Sequence, residues 1–205
     1  MQDAIAPAGR RIKLMTGGHR DHFSRNSIDN LLPRLSLSVA PLRNTRLTAA
    51  AGQYSQFPNL VDLYGEFGTP NLGPERSNQA TFAVEQFLKE RIRIRVEAFD
   101  LQTRRGIYSA ASQFRAASPD GPILCPELGP VFANSLRGYT RGIEFMVQRR
   151  SDNGLTGWIA YTLGYSRFTD ATTQLHFWGD YDRRHTVNVF GSYIVFKHYR
   201  RSRRT

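Results

Sequence analysis

Arg91-Ile92-Arg93-Ile94-Arg95-Val96-Glu97-Ala98 sorts its side chains by parity. Ile92, Ile94, Val96 and Ala98 fall on one face; Arg91, Arg93, Arg95 and Glu97 fall on the other. A helix would scatter these charges around its circumference, whereas a β-strand places alternate residues on opposite faces. The stretch therefore predicts a strand with one apolar and one strongly polar face.

The same design recurs outward in both directions. In residues 33–41, Leu35, Leu37 and Val39 alternate with Arg34, Ser36 and Ser38. In 78–88, Ala80, Phe82 and Val84 alternate with Thr81, Ala83 and Glu85. Ile143, Phe145 and Val147 share a face in 137–149, as do Ile159, Tyr161, Leu163 and Tyr165 in 157–168, and Val187, Val189, Tyr193 and Val195 in 185–195. Weaker alternation runs through 11–20 and 45–54. About eight strands follow, many near the ~9–11 residues that cross a bilayer at a tilt. Glu85 and Glu97 are expected on one face with Arg93 and Arg95, where cross-strand pairing explains the carboxylates better than glycosidase chemistry does.

Connections alternate in length. Short ones are expected at 41–44, 89–90 and 150–154, where Asp152-Asn153-Gly154 offers the positive φ of a tight hairpin. Long ones are expected at 21–32, 55–77, 104–136 and 169–184. Turns at one rim and loops at the other mark an up-and-down barrel. The fold class is all-β: an antiparallel up-and-down meander, a partial section of a large transmembrane β-barrel. Aromatics near strand ends (Tyr54, Phe57, Tyr108, Tyr139, Trp158, Phe168, Phe177, Trp178 and Tyr181) fit an interfacial girdle for about half of them, with loop packing for the rest.

Composition bounds the function. The 205 residues carry 28 Lys+Arg against 17 Asp+Glu, a formal net charge of +11. The arginines are dispersed; only Arg200 to Arg204 forms a cluster, and residues 197–205 read as a basic disordered tail. With no basic patch or motif, no nucleic-acid partner is expected. Mean hydropathy is −0.46, and no run approaches the ~20 apolar residues of a spanning helix. The single cysteine, Cys125, sits among Gly121, Pro122, Pro126 and Pro130 in an expected surface loop and forms no internal disulfide. Met1-Gln2-Asp3-Ala4 does not open a secretory signal, so a signal peptide is expected to lie outside this chain.

Several stretches resemble barrel segments of TonB-dependent receptors. They are Gly52-Gln53-Tyr54-Ser55-Gln56-Phe57-Pro58 with Leu63-Tyr64; Asn71-Leu72-Gly73-Pro74-Glu75-Arg76-Ser77; and Val84-Glu85-Gln86 leading to Arg95-Val96-Glu97-Ala98-Phe99-Asp100. Arg141-Gly142-Ile143-Glu144 with Gly154-Leu155-Thr156-Gly157-Trp158 and Tyr161-Thr162 adds a further stretch, and Asp180-Tyr181-Asp182-Arg183-Arg184-His185-Thr186-Val187-Asn188-Val189 another. The element Leu72-x-Pro74-Glu75-x-Ser77 is the most specific of them. The resemblance implies an outer-membrane receptor of a Gram-negative-type bacterium that imports a siderophore, cobalamin or oligosaccharide. It implies outer-membrane lipid, a plug domain and the TonB energy-coupling complex as partners. Residues 1–205 are expected to form the C-terminal part of such a barrel, without the plug or the closing strands, and to be transport-incompetent alone. A passive pore and a soluble all-β carbohydrate-binding protein are the alternatives.

No enzymatic constellation is expected, and no cofactor. His19 and His22 bracket Asp21 at a strand rim rather than forming a metal site. His185 follows Asp180 and Asp182 at an expected strand start. Ligand contacts are expected in the long loops and upper lumen: Tyr64, Phe67, Asn71, Phe114, Trp178 and Tyr181 for stacking and hydrogen bonding, and Arg104, Arg105 and Arg115 for an anionic ligand.

Overall fold

The computed structural model describes residues 11–23, 27–65, 68–89, 91–108, 132–150, 154–180 and 182–193. They form one antiparallel sheet of nine strands: β1 (Ile12–Phe23), β2 (Ile28–Leu42), β3 (Thr45–Gln56), β4 (Glu75–Leu88), β5 (Ile92–Tyr108), β6 (Ala133–Arg149), β7 (Leu155–Asp170), β8 (His176–Trp178) and β9 (His185–Tyr193). Each strand from β1 to β7 pairs with the next, and β7 is bordered by β8 at its loop end and β9 along the rest. This is the expected meander, with β8 an extra three-residue strand inside the predicted 169–184 loop. Among the described residues no helix is long and apolar enough to cross a membrane, which says nothing of strands.

The register turns alternation into two faces. Ile12, Val39, Leu47, Val84, Val96, Phe145, Tyr161 and Val187 are successive Cα partners across eight strands, an unbroken apolar row. One residue along every strand, on the opposite face, the row reads Lys13, Ser38, Thr48, Ala83, Glu97, Glu144, Thr162 and Thr186. Burial inverts the order of a water-soluble sheet. Phe82, Ile143 and Ile159 are at least half exposed, while Ala83 and Glu85 are buried. We call the apolar face outward and the polar face inward.

Turn chemistry sets the hairpins. Gly154 takes φ 98° after the 151–153 segment, as its position predicts, and Lys89 turns β4 into β5 at φ 49°. On the inward face Gly142 and Gly164 are cross-strand partners, and a Cβ on Gly142 would stand 2.6 Å from the tip of the Phe99 ring. The absent side chains leave room for the end of the Phe99 ring beside both glycines.

Two expectations need correction. Residues 21–32 are not a long loop. Arg20, Asp21 and His22 continue β1, pairing with Leu31, Asn30 and Asp29 of β2, so only 24–27 connect the strands. Arg20 and His22 both bond Asp29, and these charge-assisted contacts carry the ladder past the apolar stretch. The strict alternation of short and long connections fails at this hairpin. The girdle also needs sorting by face. Tyr139 and Trp178 point outward, whereas Tyr54, Trp158 and Phe168 share the inward parity, and Trp158 stacks on Phe190 there. Tyr108 and Phe177 stack on each other, and Phe57 on Phe23. Cys125, Asp152, Asn153 and the basic tail at 197–205 lie outside the described residues.

Candidate functional site

Chemistry gathers in three places. The first is the inward wall. Glu85 is buried, with Arg46, Arg93 and Arg95 around its carboxylate, the Arg46 Nη1 at 3.7 Å and the Arg95 Nη1 at 3.8 Å. Arg95 also bonds Glu97. The pairing expected from alternation is thus present, with Arg46 as a third cation. Three arginines thus surround the one Glu85 carboxylate, while Glu97 faces a further carboxylate, Glu144, across the next strand pair. Loop-ward on the same face, the Arg34 guanidinium lies 4.4 Å from the centre of the Tyr54 ring. The two border a cavity of about 350 Å³ with Gln79 and Thr81.

The second is the loop between β3 and β4. It contains a one-turn helix, α1 (Leu60–Tyr64), whose Asn59 N–H donates to Asp62 Oδ2 at 3.2 Å. The loop then folds back over the sheet. The Asn134 side chain accepts from Gly73 N–H (2.7 Å) and donates to Gly73 O (2.9 Å) and Arg105 O (3.0 Å). Glu75 Oε1 accepts from Ile107 N–H, Thr69 Oγ1 from Phe132 N–H, and Ser55 donates to Glu75 O. Leu72 and Pro74 are buried beneath. The element Leu72-x-Pro74-Glu75-x-Ser77 is therefore a clasp that fixes the loop to β5 and β6.

The third is the loop end of β7 to β9. Asp170, fully buried, accepts from Thr172 N–H, Thr173 N–H and the Thr173 hydroxyl. Burial pushes its carboxyl up, but these bonds and one from Ser135 outweigh that and hold it below the usual range. Two guanidiniums approach the Trp178 ring, Arg184 at 4.6 Å and Arg167 at 5.6 Å from its centre.

The residues expected to meet a ligand fall out as follows. Tyr64 closes α1 and is 59% exposed. Asn71 is exposed on the same loop. Arg104 and Arg105 are on β5 rather than in a loop, at an irregularity that gives Arg105 φ 57°. They line one depression together with Arg76 and Arg137, which sequence reading did not single out. Trp178 stands apart, with its own two arginines. Phe67, Phe114, Arg115 and Tyr181 lie outside the described residues. His19 and His22 bond different carboxylates, Asp21 (2.7 Å) and Asp29 (3.2 Å), and no cluster of three or more metal-ligating side chains occurs among the described residues.

The family model described as TonB dependent receptor-like, beta-barrel matches residues 1–201. No curated protein sequence matches the chain. Among solved structures, the FrpB iron transporter of Neisseria meningitidis is similar in its F5-1 variant at TM-score 0.56 and 15% identity, covering 81% of this chain and 26% of that one. The F3-3 variant gives 0.53 and 16% identity, covering 72% and 21%. At such identities the likeness is one of fold, and the chain spans about a quarter of the length of these transporters.

Proposed function

The chain belongs to the TonB-dependent receptor β-barrel family, and from that premise we propose that it forms part of the wall of an outer-membrane importer. One observation carries the reading: an unbroken apolar row across eight strands faces outward while arginine, glutamate and threonine face inward. Lipid supports such an outward face, and a wet interior supports the inward one. Dimensions agree. From Leu155 to Tyr165 the outward positions of β7 are apolar or glycine, about 33 Å of strand, or about 25 Å once tilted ~40°, which is the height of a barrel's apolar band.

The inward wall, with its excess of arginine around Glu85, suits an acidic partner in the lumen, the place a plug domain takes in this family. The imported molecule is a scarce ligand of the siderophore, cobalamin or oligosaccharide kind. It meets the protein at the loop end, where Tyr64, Asn71 and Arg105 stand, with Phe67, Arg115 and Tyr181 as further contacts; Arg104 and Trp178 have outward parity and belong to the rim instead. Energy comes from the TonB complex acting on the rest of the receptor. The reading is non-enzymatic. A soluble carbohydrate-binding sheet would need a second apolar layer over Ile92 and Val96, which are 37% and 39% exposed.

Single cysteines, introduced after Cys125→Ser removes the native thiol, test the two faces of the full chain in detergent micelles. Val84→Cys and Val96→Cys should react with a lipid-soluble maleimide and resist a charged one; Thr81→Cys and Thr162→Cys should do the reverse. Uniform reaction with the charged reagent, in micelles that preserve the strand signal, would overturn the membrane assignment.

A further inference from the structure

We propose that the outward face carries a lipid site at its loop-side border, taking the phosphate headgroup of an anionic membrane lipid with an acyl chain in the groove below it. The inference rests on the outer-membrane reading and adds a ligand to a surface that reading leaves as mere solvent contact. On the outward face neighbouring strands change character at one level. Ascending β5, Ile92, Ile94, Val96 and Ala98 give way to Asp100, Gln102 and Arg104. On β4 the change comes between Ala80 and Asn78, leading to Arg76; on β6 it comes between Ile143 and Arg141, leading to Arg137.

Arg76, Arg104 and Arg137 border one depression of about 680 Å³. Arg76 and Arg104 are direct cross-strand partners, and both are exposed. Like charges set directly opposite destabilise a sheet unless an anion lies between them. Among the described residues no carboxylate stands within 4.0 Å of any of these three guanidiniums. Arg76 donates instead to the neutral amide oxygen of Asn30. Asp29 borders the depression as well, but its carboxylate is occupied by Arg20 and His22. Planar guanidiniums are matched to phosphate oxygens.

The hydrophobic half lies alongside. A second depression of about 470 Å³ shares Gln53 and Asn78 with the first and is floored by Leu35, Ala51 and Ala80; Asp100 and Gln102 stand at its rim, where Arg141 neutralises the Asp100 carboxylate. Ala51 and Ala80 are cross-strand partners on the outward face, so two small side chains leave a trough between larger neighbours. A cationic pocket at the interface opening into an apolar trough along the belt has the polarity order of one lipid molecule. A soluble anion would use only the first half.

Anisotropy of tail-labelled fluorescent lipids tests this with the full chain in phosphatidylcholine–detergent micelles. Phosphatidic acid should be retained over phosphatidylcholine by roughly tenfold, the scale of one or two charge-assisted contacts. R76Q/R104Q/R137Q should bring the two lipids to parity, while Arg43→Gln at the opposite turn should leave the preference intact. Should the triple variant lose its strand signal, Arg104→Gln alone should still cut the preference at least twofold. Equal retention by the unaltered chain, a preference indifferent to these arginines, or displacement of the labelled lipid by inorganic phosphate would each overturn the proposal. If neither lipid associates, the membrane reading itself has failed, which separates the two.

Discussion

Asn134 is a single side chain holding three backbone groups on two other segments. Asn134→Ala leaves the buried Gly73 amide and carbonyl without partners, and an orphaned backbone group costs about 1–3 kcal/mol. The cost falls on the clasp rather than the sheet. Hydrogen exchange should show the Gly73 amide opening roughly tenfold faster or more, with amides of β4 and β5 unchanged. Glu85 is the converse case, since its neighbours are charged. Glu85→Gln leaves Arg46, Arg93 and Arg95 facing one another across a buried position. Breaking a buried pair costs about 3–5 kcal/mol, and the partly wet arginines place this one near the low end. Urea unfolding in micelles should reveal the loss, and Glu85→Asp should recover part of it. Glu85 with Arg93 and Arg95 was legible in the sequence, because parity puts them on one face and the short turn makes β4 and β5 neighbours. Asn134 was not legible, because nothing local marks a polar residue whose partners lie 61 residues away. Arg76 and Arg137 were missed because the outward face was followed only while it stayed apolar.

Elements were legible where alternation was long and were lost where it was short or charged. β5 and β7 announce themselves by parity alone. The upper part of the β1–β2 hairpin does not, because Arg20, His22 and Asp29 interrupt the apolar pattern while supplying the bonds that continue the ladder. α1 and β8 are too short for any period to register: α1 is held by its own cap, Asn59 N–H to Asp62, and β8 by three register pairs with β7. The turn between β7 and β8 owes its shape to Asp170, and its pH behaviour follows. A carboxyl depressed in the folded state contributes stability that is complete above its unfolded pKa, ~3.9, and is lost as pH falls through the native value. Resistance of residues 171–175 to an acid protease should therefore hold at pH 5, begin to weaken only below the unfolded pKa of ~3.9, and be lost further down as the native carboxyl takes up its proton. In Asp170→Ala the same segment should be cleaved at pH 5 as well.

At the scale of the molecule the sheet is open. Among the described residues β1 pairs only with β2, and β9 only with β7. Each border strand therefore presents a row of N–H and C=O groups that nothing in the sheet satisfies. Water or detergent headgroups can satisfy such groups at the margin of a micelle. The hydrocarbon interior of a bilayer cannot, and there each orphan costs several kcal/mol. Alternate groups of the nine-residue β9 point away from its partner strand, and each of them weighs against insertion of a single open sheet. Closing these strands on themselves would remove the edges, but a barrel of about eight strands has a bore filled by side chains. The chain by itself is thus expected to fold in micelles yet to be stripped from phosphatidylcholine liposomes by concentrated urea, which a closed barrel with every backbone group paired should withstand. It should give those liposomes no permeability to a siderophore-sized dye. Urea-resistant insertion by the isolated chain would mean that β1 and β9 find partners, either each other or those of a second copy, and chemical cross-linking between the border strands would tell which.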